Sequence, residues 1–156
     1  MELVPIHSFD GLLKDEVLTQ SVRILNFEWP RSETIRMRGL NSSSDKLPTH
    51  LVLVQHFGGK VSVIGHSRIS KIPANETQVF IESVVVHPHL RFYKQRVNSL
   101  LSSFIFRGKG LGKVLMLKTE EYCMKKGFKT AYLTTHDQQV PSQLANRKII
   151  CVLFLV

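Results

Sequence analysis

Arg107-Gly108-Lys109-Gly110-Leu111-Gly112 is the stretch on which the fold turns. The residues that follow from it, 111–126 (LGKVLMLKTEEYCMKK), place Leu111, Val114, Leu115, Lys118 and Tyr122 at steps of three and four, which predicts a helix. Upstream, Phe80 to Val86 (FIESVVV) is a β-branched run and predicts a strand. A glycine-rich turn feeding a helix gathers unpaired backbone N–H groups and the positive end of the helix dipole at one point. That is an anion site, and a pyrophosphate fits it. Glycine lets the backbone approach such an anion closely. Two familiar phosphate loops are excluded. No Gly-Lys-Ser/Thr follows at P-loop spacing, and Gly108, Gly110 and Gly112 do not match G-x-G-x-x-G. A tight turn with a glycine-rich helix start is the plain alternative.

The remaining chain can be read around this core. Met1 to Ile6 predicts a short first strand, and Asp10 is placed to cap a helix running to about Phe27. Trp29-Pro30 ends that helix, because the residue before proline is pushed out of the helical region. Ser32 to Leu40 predicts a second short helix carrying Arg36 and Arg38. His50–Phe57 and Val61–Ile72 flank Gly58-Gly59-Lys60, a hairpin signal, and a turn over Pro73–Thr77 leads to a strand over Gln78–Val86. Gly127 closes the helix at 111–126, and Lys129–Thr135 predicts a strand parallel to its predecessor.

The segments LNFEWPRSETIRMRGL (25–40), VIGHSRIS (63–70), IESVVV (81–86), RGKGLGKVLM (107–116) and KKGFKTAYLTTHDQ (125–138) resemble the GNAT acetyltransferase superfamily and, within it, the actin N-terminal acetyltransferases of animals. The resemblance implies an α+β fold of three layers, the GNAT acyl-CoA N-acyltransferase fold, with a mixed central sheet flanked by helices. It implies acetyl-CoA as co-substrate. Backbone groups of Val84, Val85 and Val86 would pair with the pantetheine arm, and Arg107, Gly108, Lys109, Gly110, Leu111, Gly112 and Lys113 would hold the pyrophosphate. Gln138 would also contact the cofactor. Arg31 and the stretch Arg36-Met37-Arg38-Gly39 would contact the substrate, which is implied to be processed actin, free or bound to profilin. The arginines suit that substrate chemically, since guanidinium forks bind carboxylates bidentately and an actin terminus is acidic.

For a general base, Glu82 and His136 are the candidates. Glu82 shares strand parity with Val84 and Val86, which predicts one common face. His136 follows a strand end and titrates in the useful range. Glu82 paired with a basic neighbour, or His136 bonding only the peptide, are the structural alternatives.

Two places depart from the family pattern. Residues 92–107 (FYKQRVNSLLSSFIFR) interrupt the domain; removing them restores VVVHPHLRGKGLG, so Arg91 and Arg107 are duplicate candidates for the motif arginine. The block reads as retained intron sequence, with a surface insertion as the alternative. After residue 140 the chain continues VPSQLANRKIICVLFLV, where the family has an aromatic-rich helix and further strands. The domain is therefore assigned to 1–140, interrupted at 92–107, with an atypical tail at 141–156 and the C-terminal helix and strands missing or replaced.

Composition bounds these readings. With 156 residues and 43% hydrophobic content, the chain predicts one globular domain with a real core. No signal peptide or spanning apolar run is evident, and two cysteines give no disulfide framework, so a cytoplasmic, monomeric protein is expected. The net charge of +9 suits an anionic cofactor or an acidic polypeptide. No aromatic platform interleaves the basic residues, so nucleic acid is not expected, and the histidines show no metal-ligand spacing. A GNAT enzyme for small amines and a truncated, inactive GNAT fragment are the competing readings.

Overall fold

The computed structural model describes residues 1–73, 75–91, 110–135 and 149–154. Strands β1 (Glu2–Pro5), β2 (Thr49–Phe57), β3 (Lys60–Ile72), β4 (Asn75–Val86), β5 (Thr130–Thr135) and β6 (Ile149–Phe154) form a single sheet in sequential order. Helices α1 (Gly11–Glu28), α2 (Glu33–Asn41), α3 (Pro88–Arg91) and α4 (Leu111–Lys125), with a 3-10 turn at Ile6–Ser8, complete the described elements. All neighbours pair antiparallel except β4 and β5, which are parallel, as the crossover through α4 requires. The sheet is mixed and flanked by helices, the α+β arrangement expected from the sequence.

Alternation along the strands sorts the core into two sides. Val52, Val54, Val61, Val63 and Val85 pack with Val17, Leu18, Val22 and Leu25 of α1 and with Leu40 of α2. The opposite side buries Leu51, Ile69, Val79, Ile81 and Ala131 against Cys123 of α4, and Leu53, Ile64 and Val86 against Leu111 and Leu115. The sheet is thus the middle of three layers.

The helix ends follow their local chemistry. Asp10 occupies the N-cap position of α1 with extended backbone, but its side chain makes no capping bond, so the expected cap is positional only. Trp29 leaves the helical region at φ −132° before Pro30, as expected. Helix α4 closes on a Schellman motif: Gly127 N–H reaches the Met124 carbonyl (2.9 Å), and Phe128 N–H reaches Cys123 (3.1 Å). The β4 strand begins at Asn75, earlier than the sequence pattern places it, because Ile72 already pairs with Asn75 across a tight turn. Residues 149–154 of the tail pair antiparallel with the whole length of β5 and carry the sheet one strand further.

Candidate active site

The centre of the site is a defect in β4. Its pairing with β3 passes from Arg68↔Glu82 to His66↔Val85, so two residues of β4 oppose one of β3. Ser83, inside this bulge, has φ +50°. Left-handed backbone is disfavoured for a residue with a β-carbon, and bulges bend and twist the strand that carries them. On its other edge β4 pairs with β5 only from Gln78↔Thr130 to Ile81↔Leu133. Past that point both strands continue without a described ladder between them. The backbone groups on that edge of β4, from Glu82 to Val85, have no described β5 partner and border a gap, and an amide-bearing ligand can pair with them.

The bulge also changes which residues share a face. Val79 and Ile81 lie on the α4 side before it, and Val84 and Val86 lie on that side after it. Glu82 falls on the opposite side, where Val85 packs against the α1 core and Arg68 holds Glu82 at 3.8 Å. The expected common face of Glu82, Val84 and Val86 is thus corrected. One extra residue in the strand reverses the parity of everything beyond it.

Helix α4 begins beside the end of this edge. Gly110 caps it in the left-handed region at φ 54°, and its carbonyl accepts from Val114 N–H at 3.0 Å. Leu111 is buried with Leu53, Ile64, Leu115 and Val86, which ties the first turn of the helix to the last residue of β4. Among the described residues, no atom lies within 4 Å of where a Gly112 side chain would be. The first-turn N–H groups, at the positive end of the helix, form a candidate anion cradle next to the β4 edge. Close docking of α4 depends on Gly65: a Cβ there would sit 3.0 Å from the Val85 carbonyl oxygen and 3.1 Å from Leu115 Cδ2. Nearby, Thr119 donates its hydroxyl to the Leu115 carbonyl (2.8 Å), so Ser67 donates to Thr119 (2.9 Å) and pins helix to sheet.

On the α1/α2 side lies a basic cluster. Asn26 Oδ1 accepts from Arg36 Nε at 3.2 Å and from the Arg31 backbone N–H at 3.3 Å, and Arg36 Nη2 donates to the Trp29 carbonyl. Burial and the Arg31 charge hold the Arg36 guanidinium below its ordinary pKa. Met37 packs on the α1 core. Arg38 and Gly39 are exposed, and Arg38 lies roughly 200° around the helix from Arg36. The structure brings Arg31 and Arg36 together and leaves Arg38 apart.

Three residues that sequence reasoning passed over join this side. Arg68 carries a buried Nε that has no partner among the described residues, where its ion pair is the long one to Glu82. His50 and His66 are buried beneath it, bonded to each other at 3.0 Å. A charged residue at an inward position of VIGHSRIS is the signal that could have flagged Arg68.

Arg107, Gly108, Lys109, His136 and Gln138 lie outside the described residues, as does the 92–107 block. Among the described residues no group of side chains has the composition of a metal site, and no helix is long and apolar enough to cross a membrane. A cavity of about 1020 Å³ opens between α1, the β2–β3 hairpin and the start of α3, and reaches Ile64 and Leu90, which pack with Leu111. Its walls include Asp15 and Glu16 as well as Arg23 and Lys60, so a pyrophosphate there would meet two carboxylates. The glycine-capped end of α4 is the better anion site.

The chain is similar to several known proteins. The model of the Acetyltransferase (GNAT) family matches residues 105–145. Mouse N-alpha-acetyltransferase 80 is 31% identical over 128 residues, which are 80% of this chain and 36% of the mouse protein. The chain thus spans about a third of the length of that relative. Among solved structures, Tetrahymena GCN5 superposes with a TM-score of 0.66 at 8% identity, covering 100% of this chain and 97% of its own. The aminoglycoside 6'-N-acetyltransferase of Enterococcus faecium gives 0.61 at 18% identity, covering 94% and 68%. An aminoglycoside 6'-N-acetyltransferase complexed with coenzyme A gives 0.57 at 16% identity, covering 86% and 62%. At these identities the structures speak for the fold alone.

Proposed function

We propose, for a chain that carries a GNAT acetyltransferase domain, that it transfers acetyl from acetyl-CoA to the α-amine of proteins with acidic N-termini, processed actin foremost. The observation that carries the acetyl-transfer reading is the bulged stretch of β4 past Ile81, which has no described pairing with β5, lying beside the glycine-capped start of α4. The residues present fit the co-substrate: one edge offers backbone partners to an amide-bearing arm, and the adjoining helix start offers N–H groups to a pyrophosphate. Acetyl-CoA supplies the thioester carbon that the amine attacks.

The chain's own part is then positioning and electrostatics. A backbone N–H of Val84 or Val85 would donate to the oxygen on which negative charge develops. Glu82, on the substrate side and about one-third exposed, can take the proton released by the amine. Only modest base assistance is needed, because an α-amine with a pKa of about 8 is already partly neutral near pH 7. Arg31, Arg36 and Arg68 form the surface for the acidic residues that follow the reacting amine. The partner proposed is the actin N-terminus, alone or bound to profilin, met in the cytoplasm.

A small cationic amine is the second reading, since the structural neighbours include aminoglycoside acetyltransferases. The arginines on the proposed substrate side, Arg31, Arg36 and Arg68, disfavour it by like-charge repulsion. The test is acetyl transfer from labelled acetyl-CoA to an Asp-Asp-Asp peptide, with a Ser-started peptide and spermidine alongside. Labelling of the Asp peptide well above the other two is expected. Preference for spermidine would replace the reading, and no transfer to any of them would mark the chain as an inactive fragment.

A further inference from the structure

We infer that His50 and His66 are positioning residues: a buried two-histidine relay that grips the Ser83 carbonyl and thereby holds the kink that turns the β4 edge toward the gap. The catalytic consequence rests on the acetyl-transfer reading above; the structural part does not.

Hydrogen-bond direction fixes the relay. His66, on the central strand β3, is 0% exposed, and a polar ring at such a site is costly unless both nitrogens are satisfied. Its Nδ1 lies 3.1 Å from the Ser83 carbonyl oxygen. A carbonyl can only accept, so Nδ1 carries the proton. Burial keeps the ring neutral, helped by the charges of Arg36 and Arg68, so Nε2 is left as an acceptor. His50 Nδ1, 3.0 Å away, must then donate to it. The order is His50 Nδ1–H to His66 Nε2, then His66 Nδ1–H to Ser83 O. Each bond sets the tautomer required by the next.

The far end of this chain is the one described non-glycine residue of the sheet in left-handed backbone. Ser83 needs a restraint, because nothing in its own chemistry favours φ +50°. If the carbonyl is released, β4 can relax toward a regular ladder with β3. Relaxation by one residue reverses the faces of Val84 and Val86, taking them out of the α4 core and turning the edge groups away from the gap. The groups that face the pair are Arg68 from β3 and Arg36 from α2, with Glu82 of β4 held by Arg68.

The test compares three variants of the full chain. His66→Leu removes both bonds. His66→Gln offers one donor and one acceptor in place of the ring nitrogens. Val17→Ala, in the α1 core, controls for a general loss of stability. The readouts are amide hydrogen exchange over Ser83–Val86, and kcat and KM with the acidic peptide. His66→Leu is expected to speed exchange of that segment by about tenfold beyond the Val17→Ala control and to lower kcat by about tenfold, with peptide KM changed less than about twofold. His66→Gln is expected to restore most of both. Should His66→Leu fail to fold, His50→Phe keeps the Ser83 bond while removing the donor, and gives a smaller rise at the same amides. Exchange at Ser83–Val86 no faster than in the control overturns the relay. An unchanged kcat with faster exchange overturns its catalytic role. A wild-type chain without activity defeats the acetyl-transfer reading, and exchange still decides the positioning.

Discussion

At the scale of single residues the arginines separate by geometry. Arg36 is half-buried and anchored by Asn26 and the Trp29 carbonyl, so its guanidinium is preorganised. Arg38 is exposed on another face of α2. Arg36→Ala should therefore raise KM for an acidic peptide by about tenfold, about 1.4 kcal/mol, while Arg38→Ala changes it by less than about threefold. Arg68→Ala should behave like Arg36→Ala. Initial rates across a peptide titration check all three, and equal effects at positions 36 and 38 would refute the separation. Arg31 and Arg36 could be read as neighbours because they are close in the chain, while the placing of Arg38 on another face and the arrival of Arg68 from β3 could not. The sequence misled on Glu82, since no glycine or proline in FIESVVV marks the bulge, and counting by twos fails across it. The histidine relay was equally hidden: His50 and His66 meet only through the register of β2 with β3, which no local pattern encodes.

Between elements, the docking of α4 on the sheet decides whether the anion cradle and the β4 edge adjoin. Gly65 is the contact that permits it. The backbone oxygen of Val85 cannot rotate away from an added methyl, so Gly65→Ala should cost about 1–3 kcal/mol through displacement of α4 or β4. Because the displaced groups are those proposed to bind the co-substrate, affinity for CoA should fall as well. Denaturant unfolding with calorimetric CoA titration tests this; full stability with normal CoA affinity would contradict it. Elements were the most legible level of the chain. Periodicity, the Gly58-Gly59 hairpin and the Gly127 stop all gave boundaries within a few residues of those observed. The parallel placement of β5 followed from crossover handedness rather than from any residue.

For the whole molecule, the two buried histidines make stability depend on pH. Desolvation, with further help for His50 from the His66 ring and for both from Arg68 and Arg36, lowers His50 from 6.5 to about 3 and His66 to about 4. The folded chain therefore binds fewer protons than the unfolded chain between those values and 6.5. Stability is full above pH 6.5 and is lost as the pH falls toward 4. At pH 5 the loss is roughly 2 kcal/mol per histidine, a fall in Tm on the order of 10 °C relative to pH 7.5. Asp45 and Glu121 do not produce this window. The Lys126 and Lys125 side chains hold their carboxyls below the usual range, so they titrate at lower pH. Thermal melts from pH 7.5 to 5 should show the fall in the native chain and about half of it in His50→Phe.

The central claim is that acetyl goes to an acidic N-terminal α-amine, and intact actin tests it most directly. Processed actin would be incubated with acetyl-CoA and the chain, and the acetylated positions read by mass spectrometry. The account predicts acetyl on the N-terminal amine and none on lysine side chains above an enzyme-free control. Acetyl confined to lysines, or actin left unmodified, would contradict it.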